Sequence, residues 1–272
     1  MIQHTMDRKA AVDPGIYSKD YFMGDNEGWR EYLHGLDTHI HPKFARALQL
    51  GRPTGDDVVL DIGCGRGELL YYSARAGARA LGLDYSSAAI DIARQTIGSL
   101  PEGLRSNARA EVGDPCDYDF KEKYSLIFMI ETLEHMHDWQ LEETFAKAHR
   151  ILADGGRFII ITPNYYYEKY LSPLKRIVNL PLNLVKLPLR MMKAKYRAAG
   201  MRSLVRKTLR VRIDRGELNR AMHVNVTTPA KVRRILARFD ASVRCEDPSG
   251  NILSLLAKRW WGRDIVAVAS KR

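Results

Sequence analysis

The stretch from Asp57 to Gly77 limits the fold more than any other part of this 272-residue chain. Asp57 to Ile62 reads as a strand and Glu68 to Ala76 as a helix ending at Gly77, with Gly63-Cys64-Gly65-Arg66-Gly67 between them. Glycines at a strand-to-helix junction let the backbone turn sharply and come close to a ligand. The alternation then repeats. Arg79 to Leu83 predicts a second strand, and Ser87 to Ile97 a helix with Ser86 as its N-cap. Arg109 to Val112 and Tyr124 to Ile130 predict strands three and four. Asp138 to Leu152 predicts a helix closed by the turn Asp154-Gly155-Gly156, before a fifth strand from Arg157 to Thr162 that stops at Pro163. After a long interruption, Thr228 caps a helix from Pro229 to Arg238, and Ala241 to Asp247 and Asp264 to Ala269 are the last two strands. Such alternation is the signature of an α/β fold with a parallel sheet and helices on its faces.

The residues around the glycine loop select its ligand. A dinucleotide pattern G-x-G-x-x-G would need glycine at position 68, where Glu68 stands. Asp61 at the mouth of the loop would repel a pyrophosphate but suits a cationic cofactor. S-adenosylmethionine has no phosphate and carries a sulfonium and an ammonium. About twenty residues on, Asp84 ends the second strand, where an acid can accept both hydroxyls of a ribose. Asp114 follows the third strand in Val112-Gly113-Asp114-Pro115, placed to accept an adenine amino group. Strand ends of an open parallel sheet are where ligands bind, and here three successive ends carry acids.

Residues 57–162 resemble the class I methyltransferase core, with the motifs VVLDIGCGRGELL, ALGLDYS, EVGDP, YSLIFMIETLEHM and LADGGRFIIITPN. The resemblance implies a Rossmann-like seven-stranded, mostly parallel sheet with the last strand antiparallel, helices on both faces, and a basic helical insertion after strand five. It divides the chain into an N-terminal helical lid (1–56), an S-adenosylmethionine-binding core (57–164), an insertion (165–227) and the C-terminal part of the sheet (228–272). It implies that Asp61, Gly63 and Gly65 hold the methionine moiety and Asp84 the ribose. Adenine would stack near Tyr85, with Asp114 and the backbone of Cys116 at its edge, and Cys64, Pro115 and Ile130 count among the cofactor-binding residues.

Methyl transfer needs the nucleophile aligned with the methyl group and, for a hydroxyl, relieved of its proton. Glu131-Thr132-Leu133-Glu134-His135 follows strand four, and Glu131 and His135 are the candidate catalytic residues. If the stretch is helical, Glu131, Glu134 and His135 share one face. Two carboxylates and an imidazole could there hold a divalent cation (Mg, Mn or Zn) that acidifies a diol or catechol. This arrangement is similar to the metal site of small-RNA 3′-terminal 2′-O-methyltransferases, and a related motif occurs in ubiquinone-pathway O-methyltransferases. The resemblance adds His223 as a further ligand. The alternative is a metal-free site with His135 as base or helix-start residue.

Between Tyr165 and Arg220 fifteen Lys/Arg face three acids, so this one segment holds the whole net charge of +11. A basic, partly apolar insertion of this kind suits an anionic membrane surface, or serves as a solvated lid over the substrate. Leu204, Val205, Thr208 and Val211 could form its apolar face. Tyr165, Tyr166 and Tyr167 are placed by the acceptor mouth or pack the lid, and Trp260 and Trp261 read as packing. Three cysteines without a CxxC pair point to a reducing, cytoplasmic setting, peripheral at most to the inner face of a membrane. The expected acceptor is a small molecule or a lipid-linked, glycan or quinone-like hydroxyl. Two alternatives stay open: RNA 2′-O-methylation with a divalent metal, and a non-catalytic adaptor that keeps the fold.

Overall fold

The computed structural model describes residues 12–172, 174, 222–247 and 262–272. The apolar face expected at Leu204 to Val211, and the Trp260-Trp261 pair, lie outside these residues.

Seven strands form one sheet in the order β3-β2-β1-β4-β5-β7-β6. They are β1 (Val58–Ile62), β2 (Arg79–Asp84), β3 (Ala108–Val112), β4 (Tyr124–Ile130), β5 (Leu152–Pro163), β6 (Phe239–Glu246) and β7 (Asp264–Lys271). Strands β1 to β5 pair in parallel, and β7 runs antiparallel to both its neighbours, as expected. From β1 the chain builds outward through β2 and β3, then returns to the other side of β1 with β4. The crevice between the ends of β1 and β4 is therefore the switch point of the sheet, where ligands of such folds bind.

Alternation along the strands sends side chains to two cores. Val59, Leu126 and Phe128 face a layer that includes Ala47, Leu70 and Ile90. Leu60, Ile127 and Met129 face the opposite layer with Leu141, Phe145 and Val232. The first layer belongs to α2 (Pro42–Gly51), α3 (Glu68–Arg75) and α4 (Ser87–Gly98), the second to α6 (Asp138–Ile151) and α7 (Pro229–Ile235). The short helices α1 (Trp29–Leu33) and α5 (Glu102–Arg105) complete the set. Helix starts follow the sequence signals. Ser86 Oγ accepts from Ala89 N–H at the start of α4, and Thr228 Oγ1 from Lys231 N–H at the start of α7, where Pro229 is the first residue.

Two expectations are corrected. Strand β5 begins at Leu152 and takes in the glycine turn, in which Gly155 has φ +75°. The stretch after β4 is not one helix: Glu131 stands at φ +55°, and only Leu133–His135 form a 3-10 turn. Shared position on a helix face is thus not what relates Glu131, Glu134 and His135.

Candidate active site

One cavity of about 780 Å³ opens at the switch point. One side of it is built by the loop after β1. Gly63 has φ +74°, and a Cβ there would lie 2.3 Å from Thr132 Oγ1, so only glycine lets this loop pass the turn after β4. Gly67 at φ +80° brings the N-terminus of α3 against Ala93 of α4, 3.0 Å from where a Cβ would sit. The Gly63 and Cys64 amides both donate to Leu83 O, which ties the loop to β2.

Asp84 is buried and accepts one backbone N–H on each oxygen, from Gly65 at 3.0 Å and Ser86 at 2.9 Å. Each oxygen keeps a lone pair for a further donor, which suits the two hydroxyls of a ribose. Burial pushes the Asp84 carboxyl up to about 6, against the pull of those amides. Asp61 lies deeper. Burial, with Glu68 and Asp84 nearby, pushes its carboxyl well above the ordinary range. A cation arriving here relieves that cost. Glu68 is itself held by Arg66, 2.7 Å away.

Asp61, Gly63, Cys64, Gly65, Asp84, Tyr85, Asp114, Pro115 and Ile130 all line the cavity. Cys116 does not. Its amide donates to Asp114 Oδ1 at 2.8 Å, and its thiol points to Gln140 O and Thr144 in the core. The expected backbone contact from Cys116 to an adenine is corrected accordingly: that N–H already has an acceptor.

The opposite side assembles from distant parts of the chain. Glu134, His135 and His223 each bring a donor atom within 4.8 Å of the others. Asn225 holds them together. Its N–H donates to Glu134 O at 3.1 Å, and its side-chain amide donates to Met136 O at 2.8 Å and to Asp138 Oδ1 at 3.1 Å. The loop carrying His223 is thereby fixed to the turn carrying His135. Glu134 accepts from Thr162 Oγ1 at 3.0 Å, and burial with the charge of Glu131 pushes its carboxyl well above the ordinary range. Burial pushes His135 down to about 4, so the ring is neutral at physiological pH. The Met222 carbonyl, 3.1 Å from His135 Nδ1, can only accept, so the proton sits on Nδ1 and Nε2 keeps its lone pair.

Glu131, expected beside Glu134 and His135, is engaged elsewhere. Its carboxylate lies 2.5 Å from Lys43 Nζ, and Lys43 also meets Glu27 at 2.9 Å and Asp264 at 3.7 Å. Burial opposes the Lys43 charge, but Glu131, Asp264 and Glu27 more than offset it and hold the ammonium above the usual lysine range. Burial raises Asp264 to about 6 in spite of Lys43. Burial opposes charge on Glu27 too, yet His41, Lys43 and Arg263 hold its carboxyl below the usual range.

Tyr17, Lys43, Arg66, Asn225 and Asp264 were not singled out by the sequence. The one available signal was a lysine on the apolar side of α2, where Lys43 is only 5% exposed. Of the three tyrosines after β5, Tyr167 lines the cavity and Tyr166 is exposed.

Residues 59–156 match a family described as "Methyltransferase domain". A ubiquinone biosynthesis O-methyltransferase from Chelativorans sp. (strain BNC1) is 34% identical over 126 residues, 46% of this chain and 48% of that one. One from Pseudomonas aeruginosa (strain UCBPP-PA14) is 29% identical over 113 residues, 42% of this chain and 47% of that one. The chain thus spans about half the length of the curated relatives it matches. Among solved structures, a geranyl diphosphate C-methyltransferase from Streptomyces coelicolor A3(2) superposes with TM-score 0.55 at 18% identity, covering 97% of this chain and 90% of that one. A TehB-like methyltransferase from Corynebacterium glutamicum gives TM-score 0.50 at 19% identity, covering 91% and 97%. At these identities the superpositions speak for the fold.

Proposed function

We propose that this chain, whose residues 59–156 are a class I S-adenosylmethionine-dependent methyltransferase domain, methylates an uncharged hydroxyl of a phenol, quinol or glycan acceptor, including lipid-linked ones. The observation that carries the reading is the charge of the cavity. Among the described residues its lining holds nine Asp/Glu side chains and three Lys/Arg, and acids outnumber bases even without the buried Asp61 and Glu134, in a chain whose net charge is +11. Such a lining attracts a sulfonium cofactor and repels an anionic reacting group. The likeness to O-methyltransferases of ubiquinone biosynthesis over half their length supports the hydroxyl and the quinol class.

In this reading Asp61 and the glycine loop receive the methionine end of the cofactor, and Asp84, Tyr85 and Asp114 its nucleoside. The bound cofactor supplies a methyl group on a positive sulfur. The protein's part is to hold the acceptor oxygen in line with it, exclude water and take a proton. His135 lines the cavity and keeps a lone pair on Nε2, so in this reading it accepts the hydroxyl proton. Glu134, His135 and His223 also have the donor types and spacing that fit a divalent cation. Bound there, the ion would acidify a vicinal diol or catechol. The basic segment 165–220 supports docking at an anionic membrane surface, and no helix among the described residues is long and apolar enough to cross a membrane.

Labelled cofactor offered with 4-methylcatechol, a glycolipid and a short RNA tests the acceptor class. Label in the catechol or glycolipid is the expected result, and label in RNA alone contradicts it. EDTA separates the two routes of proton removal: an unchanged rate leaves His135 as the base, and a rate lost and restored by Mg, Mn or Zn assigns the ion.

A further inference from the structure

We propose that Tyr17 is a positioning residue for His135, brought into the site by the N-terminal segment 12–27 that the cofactor loop itself fastens. The inference rests on the reading of His135 as the transfer residue.

Arg66 sits in the middle of the glycine loop and is only 2% exposed. Its Nη1 donates to Phe22 O at 2.8 Å and Asn26 Oδ1 at 2.6 Å, and its Nη2 to Glu27 O at 3.0 Å. Its Nε donates to Glu68 at 2.8 Å, and the guanidinium lies over the Tyr32 ring. A planar fork spent on three acceptors of one segment fixes that segment's path, and a lysine could not do the same. A second anchor is the N-cap of α4, where Ser86 Oγ donates to Tyr17 O at 2.9 Å. Val12, Tyr17 and Phe22 then pack against Ala89, Ile92 and Met222.

The result is a buried tyrosine between the two halves of the cavity. Its ring lies 5.4 Å from Tyr85 on the cofactor side and 5.5 Å from His135, edge to face. Its hydroxyl is 2.9 Å from His135 Nδ1. That nitrogen carries a proton for the Met222 carbonyl, so the Tyr17 oxygen accepts the second branch of the same N–H. Two acceptors on one side of the imidazole fix its rotation, and Nε2 stays aimed at Glu134, 4.0 Å away, and at the cavity. Loss of the hydroxyl leaves one longer bond and lets the ring turn. Small misplacements of a reacting group are costly in rate but not in cofactor binding.

The test compares Tyr17→Phe with His135→Ala, using 4-methylcatechol and S-adenosylmethionine. Tyr17→Phe keeps the ring and the packing of the segment. It is expected to lower kcat roughly tenfold, the worth of one buried hydrogen bond, with KM and calorimetric Kd for the cofactor changed less than about twofold. Imidazole nitrogen spectra, which need no acceptor, are expected to show a second His135 ring population in Tyr17→Phe. A raised cofactor Kd with unchanged kcat and an unchanged His135 spectrum would mean that Tyr17 only packs, and the proposal falls. It falls equally if Tyr17→Phe matches the native protein while His135→Ala is inactive. Full activity in His135→Ala overturns the role of His135 itself, and Tyr17 then has nothing to position.

Discussion

The two halves of the cavity are built in opposite ways. The cofactor half comes from three successive strand ends, β1, β2 and β3, so Asp61, Asp84 and Asp114 lie within 54 residues of one another. The acceptor half gathers Glu27 and Lys43 from before the sheet, Glu131 to His135 from after β4, His223 from beyond the insertion, and Asp264 from the last strand. The first half is held by backbone turns and amide donors. The second is held by ion pairs between side chains far apart in the chain, such as Lys43 with Asp264, 221 residues on, and with Glu27. Local construction makes one half robust, and long-range charge pairing makes the other sensitive to single substitutions.

Lys43→Met should break that contrast most strongly. It leaves Glu27, Glu131 and Asp264 without their shared cation, and removing one member of a buried ion pair costs about 3–5 kcal/mol. A denaturation midpoint lowered to match is expected, while cofactor Kd in the folded protein changes less than about threefold. An unchanged midpoint would show that the ion pairs do not hold this half together. Next in size, His135→Ala should reduce kcat by roughly 100-fold, within the range for a lost general base, and leave cofactor affinity nearly intact. The smallest effect concerns the other half. The Asp84 carboxyl, raised to about 6 by burial, must be ionised to accept two hydroxyls. Cofactor affinity is therefore nearly full at about pH 7 and falls as pH drops through about 6, by about tenfold between pH 7 and pH 5. Titrations at the two pH values check this, and Asp84→Asn should flatten the difference.

The same contrast decides what the sequence disclosed. The strand-loop-helix rhythm gave the strands of the sheet and the acids of the cofactor half, because each signal spans fewer than about twenty residues, while the antiparallel last strand came from the family resemblance. It misled at Glu131. The i, i+3, i+4 spacing suggested one helical face, but the chain leaves β4 through a left-handed residue and a single 3-10 turn, and Lys43 takes the carboxylate. Spacing put Glu134 with His135, resemblance alone added His223, and Asn225, which fixes their geometry, gave no signal at all. Lys43, Asp264 and Tyr17 reach the cavity only through contacts between distant parts of the chain. No local periodicity records such contacts.

Calorimetric titration of S-adenosylmethionine into the native chain and into Asp84→Ala tests the central claim most directly. One site per chain is predicted for the native protein. Affinity should fall by roughly 100-fold on loss of the two charge-assisted hydrogen bonds of Asp84, measured below the melting range of both proteins. Absence of binding to the native chain, or equal binding by both proteins, would contradict the assignment of the acid-lined crevice between β1 and β4 as the cofactor site.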